Sequence, residues 1–182
     1  MSARRLILFA GVVGLAGALV LLVDAPPRRS AEESVSGPRL FRMPAESVSR
    51  VLVTIGERRA AAERAADGWM IDGRQASPPL EDAFTDLVRT LTTLRAVDRF
   101  RPRDDADFGF EPPRATIEVT GAQGLERVRL GQLNAARSAV YARREGTPQV
   151  WLVGLYLVSA LERVVYFASL EASPTGSLPP VE

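Results

Sequence analysis

The sequence predicts an α+β fold: an N-terminal transmembrane helix followed by one antiparallel-sheet domain with two helices. Three observations carry this. Residues 6–23 run without a charge. Two later stretches place apolar side chains at three- and four-residue steps. The rest is mostly β-branched or alternating segments separated by short turn signals. The 182-residue chain divides accordingly into an anchor (1–24), a linker (25–46), an exported α+β domain (47–170) and a flexible tail (171–182).

Arg4 and Arg5 precede the apolar run, and Asp24 and Pro26-Pro27 close it. A helix of that length rises about 27 Å, enough to cross a hydrocarbon core. A cleaved leader would have a shorter apolar region and a small-x-small site, whereas Val23-Asp24-Ala25 before Pro26 is crowded. The run therefore reads as a retained anchor. Arg28 and Arg29 balance the leading arginines, but a short basic head before a long domain favours a cytoplasmic N-terminus. The expected location is the bacterial inner membrane, single-pass, with the domain in the periplasm. Ala10, Gly14, Gly17 and Ala18 gather small side chains on the anchor, a face where another helix could approach closely. The bland alternative is that Gly and Ala are common in any such helix.

Pro, Ser and Arg dominate residues 25–42, which read as a linker. Residues 48–55 form a β-branched strand candidate, and 57–66, rich in Arg and Ala, fit a strand or a helix. Asp67-Gly68 signals a hairpin turn into a short strand around Trp69, ending at Asp72-Gly73. Ser77-Pro78-Pro79 opens a helix whose Leu80, Phe84, Leu87, Val88, Leu91 and Leu94 share one face, with Glu81 and Asp82 at its positive end. Arg99, Arg101 and Arg103 alternate with Phe100 and Pro102, as on a charged edge strand; an acidic partner or lipid headgroup is the alternative. Strands at 114–120, 125–130, 139–143 and 149–153 follow as a meander. A closing helix spans about 155–168, with Leu157, Leu161, Val164, Val165 and Ala168 on one face. Trp69 precedes the first helix and Trp151 the second, an architectural echo of an imperfect internal repeat.

Composition removes branches of chemistry. There is no Cys, His or Lys, and every one of the 23 basic residues is Arg. Thiolate nucleophiles, His-based triads, Cys/His zinc sites, Walker loops and Schiff bases are therefore excluded. A net charge of +1 offers no field to draw nucleic acid. The densest carboxylate group, Asp104, Asp105 and Asp107 with Glu111, lacks EF-hand spacing and reads as a polar, turn-capping loop. Trp69, Trp151, Tyr141 and Tyr156 read as core packing. No catalytic residue, cofactor or metal ligand is assigned.

At Asp107-Phe-Gly-Phe-Glu-Pro-Pro-Arg-Ala-Thr-Ile-Glu-Val119 the sequence resembles the DUF4340 family of bacterial membrane-anchored proteins. These carry an aromatic-Gly-Leu-acidic-x-Pro turn entering a strand, with Phe110 here in place of the usual Leu. The likeness covers residues 48–161, including Gly68-Trp69, Gly131, Val140-Tyr-Ala-Arg143 and Val150-Trp-Leu-Val153. It implies an envelope protein linked with gliding-type ABC transporter auxiliary components, with no catalytic residues to transfer. The expected function is a non-enzymatic accessory or structural subunit of a larger inner-membrane complex (transporter, respiratory or photosynthetic), contacting integral membrane subunits and the bilayer. A periplasmic ligand- or ion-binding sensor is the alternative, and a carboxylate hydrolase the third reading.

Overall fold

A computed structural model describes residues 37–103 and 107–172. The anchor with its Ala10, Gly14, Gly17 and Ala18 face, the first part of the linker, Asp104–Ala106 and the tail from 173 lie outside the described residues. Among the described residues no helix is long and apolar enough to cross a membrane.

Nine strands form one antiparallel sheet: β1 (Val48–Ile55), β2 (Arg58–Ala65), β3 (Gly68–Ile71), β4 (Arg74–Gln75), β5 (Asp98–Phe100), β6 (Ala115–Gly121), β7 (Gly124–Leu133), β8 (Ala139–Arg144) and β9 (Val150–Gly154). Among the described residues two α-helices accompany them, α1 (Pro78–Thr93) and α2 (Tyr156–Ala172). The strand order is β4-β3-β2-β1-β6-β7-β8-β9-β5. β1 and β6 thus pair at the centre, Val51 against Val119 and Val53 against Ile117. Outwards from that seam each half runs as a meander of four strands followed by a helix, with β5 added beyond β9. Trp69 lies on β3 and Trp151 on β9, one strand further out, so the two tryptophans do not occupy corresponding strands.

The expected fold class therefore holds for the sheet and both helices. The ambiguous Arg- and Ala-rich stretch is the strand β2. Ala60 and Ala62 are buried at a two-residue step, opposite Val53 and Val51 of β1. A free edge beside β1 outweighs the modest helix preference of Ala and Arg. β4, only two residues long, carries too little pattern to be read in advance. β5 does lie at an edge, but it ends at Phe100 and does not reach Arg101 or Arg103. Pro102 has no N–H to extend it.

Burial alternates along the strands. Val51 and Val53, Ile117 and Val119, Val128 and Leu130 face both helices and form one core with Leu80, Phe84, Leu87, Leu91, Leu157, Leu161 and Val164. Trp69 packs on Phe84 at 5.8 Å and donates its indole N–H to Thr85 Oγ1 at 3.2 Å. α1 begins after Ser77, whose extended backbone leaves its carbonyl to accept from Leu80 and Glu81, with Pro at the first helical positions. Thr90 and Thr92, buried on α1, return their hydroxyls to the carbonyls of Asp86 and Val88, so neither hydroxyl is stranded.

The stretch expected as a linker contributes to this core. Leu40, Phe41 and Met43 are buried, and Leu40 N–H and Ala96 N–H tie the segment to the exit of α1 through Leu94 and Pro38 carbonyls. The packed body therefore starts before residue 47. The flanking arginines, Arg39 and Arg42, hid an apolar plug inside a polar-looking stretch.

Candidate functional site

The face of the sheet away from the helices is built differently. Leu52, Thr54, Thr116, Glu118 and Arg127 are only half-buried there. Its centre is held by charge: Arg127 donates to Glu118 across the β6/β7 pair at 2.9 Å and to Glu145 at 2.8 Å. The hydrogen bond to Glu118, then the charges of Glu118 and Glu145, make this guanidinium hold its proton more tightly than usual.

One end of the same face is covered by the chain itself. β5 is the outermost strand beyond β9, whereas β6, next in sequence, is central. The connection must cross β9, β8 and β7, and four inter-strand steps of about 4.8 Å make ~19 Å. Residues 107–113 form the inner end of that connection, lying against β7. Asp107 Oδ1 accepts from Gly109 N–H at 2.7 Å, the capping role expected of this acidic stretch. Gln132 of β7 donates its backbone N–H to Phe108 O at 2.8 Å and its side-chain amide to Asp107 O at 2.9 Å. Gly131 is what permits this approach, because a Cβ there would stand 2.0 Å from Phe108 O. Gly109 supplies the positive φ of +70° at the turn.

The crossing brings four rings together. Phe108 meets Tyr141 edge-on at 4.8 Å, and Phe100 and Phe110 lie 5.8 and 6.2 Å from Phe108. Arg143 places its guanidinium over Phe110 at 4.4 Å, a cation–π contact. Phe110, Ala139 and Val150 are buried here yet stand outside the main core, so this is a second, smaller apolar cluster. Asp107-Phe-Gly-Phe-Glu-Pro-Pro thus covers one end of this face. Glu111 lies 3.9 Å from Arg129, and among the described residues no group of acidic side chains is arranged to hold a metal ion.

Two other surfaces stand out. The first is a cleft of about 410 Å³ where the β6–β7 hairpin and the β8–β9 turn meet the segment at Arg42. The second is the outer side of α2. Tyr156 is 65% exposed, Tyr166 55% and Leu170 54%, recurring at helical spacing beside Arg163. Tyr156 therefore departs from the expected core role, while Trp69 and Trp151 keep it. Arg163 reaches Asp86 of α1 at 2.6 Å, and Arg89 closes on the same carboxylate. The exposed ring of Tyr156 carried no sequence signal, since its neighbour Leu157 sets the apolar phase of the helix.

Residues 81–165 match the family model of DUF4340, a domain of unknown function. The matched stretch opens in α1, takes in the crossing segment and the β6–β9 meander, and ends in α2. No curated protein and no solved structure matches the chain. Over that stretch the chain is similar to the DUF4340 family.

Proposed function

We propose that this DUF4340-like protein is a non-enzymatic accessory subunit of a larger bacterial inner-membrane complex. Residues 6–23 anchor it, and its α+β domain stands in the periplasm against integral membrane subunits. The observation that carries this reading is the outer side of α2. Three large apolar or aromatic side chains, Tyr156, Tyr166 and Leu170, are more than half exposed on one side of a single helix. Isolated exposed apolar residues are ordinary, but a set aligned on one helix is the kind of surface that partners cover, and Tyr is favoured at such contacts. The apolar N-terminal run supports the membrane part, and its Ala10, Gly14, Gly17 and Ala18 face supplies a second contact within the bilayer. The order of four strands and a helix in each half fits an imperfect internal repeat.

Extraction in a mild detergent followed by native electrophoresis tests the assignment. The protein is expected to migrate well above monomer size with copurifying membrane subunits. A band at monomer size removes the proposal.

A further inference from the structure

The cleft beside Arg42 holds more positive charge than its surroundings satisfy. Its lining includes Arg42, Glu126, Arg127, Arg144, Glu145 and Thr147. Arg127 and Glu145 answer each other at 2.8 Å, with Glu118 completing the group. Glu126 accepts the backbone N–H of Arg42 through both oxygens, at 3.3 and 3.2 Å. Each carboxylate in the cleft therefore already has donors. The guanidiniums of Arg42 and Arg144, by contrast, make no ion pair among the described residues. Arg144 has only a long hydrogen bond, 3.4 Å to Leu40 O, and lies 5.5 Å over the ring of buried Trp151.

Burial weakens the hold of Arg144 on its proton, the nearby charge of Arg42 weakens it further, and Glu126 only partly compensates. Two guanidiniums lining one cleft repel, and a part-buried cation whose charge is only partly offset is costly. The fold nevertheless fixes both. Arg144 ends β8 opposite Val128, and Thr147 pins its carbonyl through a hydroxyl bond of 2.8 Å. Arg42 sits between core residues Phe41 and Met43. A tetrahedral oxyanion between them would pair with both forks at once, the geometry guanidinium matches best.

We propose that this cleft binds a phosphate group, with Arg42 and Arg144 holding its oxygens. The same chemistry could arrive as free phosphate or a soluble phosphate ester, or as the phosphodiester of an anionic lipid. The site does not require the partner subunits proposed above.

The test uses the full chain. In neutral detergent, thermal unfolding is followed with inorganic phosphate against sodium chloride at matched ionic strength. In nanodiscs, phosphatidylcholine is compared with phosphatidylcholine containing phosphatidylglycerol. At phosphate near ten times its Kd the wild type should gain about 3–5 °C in Tm. Arg42→Gln should lose most of that gain, because Arg42 is exposed and its backbone contact to Glu126 is retained. Arg144→Gln should lose it too, and if that variant does not fold, Arg42→Gln alone decides. A gain with phosphate marks a soluble ligand, and a gain only with phosphatidylglycerol marks the headgroup. No gain in either medium, or an equal gain in wild type and Arg42→Gln, overturns the site.

Discussion

The two faces of the sheet share one alternating strand pattern yet are covered by different means. The helix-side face is apolar at its centre, and Val51, Val53, Ile117, Val119 and Val128 are all at or below 2% exposure beneath α1 and α2. Among the described residues no helix covers the opposite face. Its middle is held by Arg127 between Glu118 and Glu145, and one end by the aromatic crossing segment. Stability should therefore be concentrated on the first face, whereas the second should be sensitive to salt and to a few steric details.

The largest effect should come from the helix side. Phe84→Ala removes a fully buried ring that packs on Trp69, and should cost about 3–5 kcal/mol in urea unfolding. A cost below that of a surface change would mean that α1 is not seated on the sheet.

Next comes the crossing segment. Gly131→Ala drives a Cβ against Phe108 O and should cost about 1–3 kcal/mol. It should also open residues 107–113 to limited proteolysis while leaving the helices protected from hydrogen exchange. Equal loss of protection in both places would erase the distinction between the two faces.

Smaller still is Arg127→Gln, which breaks both ion pairs of the open face. These pairs are partly solvated, so the drop in Tm should be slight at low salt and shrink further at high salt. A salt-independent drop would show that the site behaves as part of a dry core. Last, Tyr166→Ala should change stability by no more than ~0.5 kcal/mol, since the ring is exposed. On native gels, however, it should weaken the association proposed for α2.

Much of this architecture was legible in the sequence because each strand carries its own alternation and each helix its own three-four spacing. The β-branched run over 48–55 predicts β1 with its observed bounds, and Ser77-Pro78 marks the start of α1. What escaped was set by partners elsewhere in the chain. Residues 58–65 are a strand because β1 offers them an edge, and Leu40, Phe41 and Met43 are core because α1 ends beside them. The crossing motif is legible as a turn, but its covering role depends on β5 pairing with β9, which local pattern does not encode. The arginine cleft was invisible for the same reason: Arg42, Glu126 and Arg144 are far apart in sequence.

The seam between β1 and β6 has a consequence for how the chain matures. Val51 meets Val119, so the middle of the sheet closes only after most of the chain has been synthesised. Until then the first meander carries a bare hydrogen-bonding edge lined by Val51 and Val53. Pairings this distant are slow to form. A nascent chain leaving the ribosome would expose that edge until β6 is made, and that interval is the point at which chaperone protection matters most.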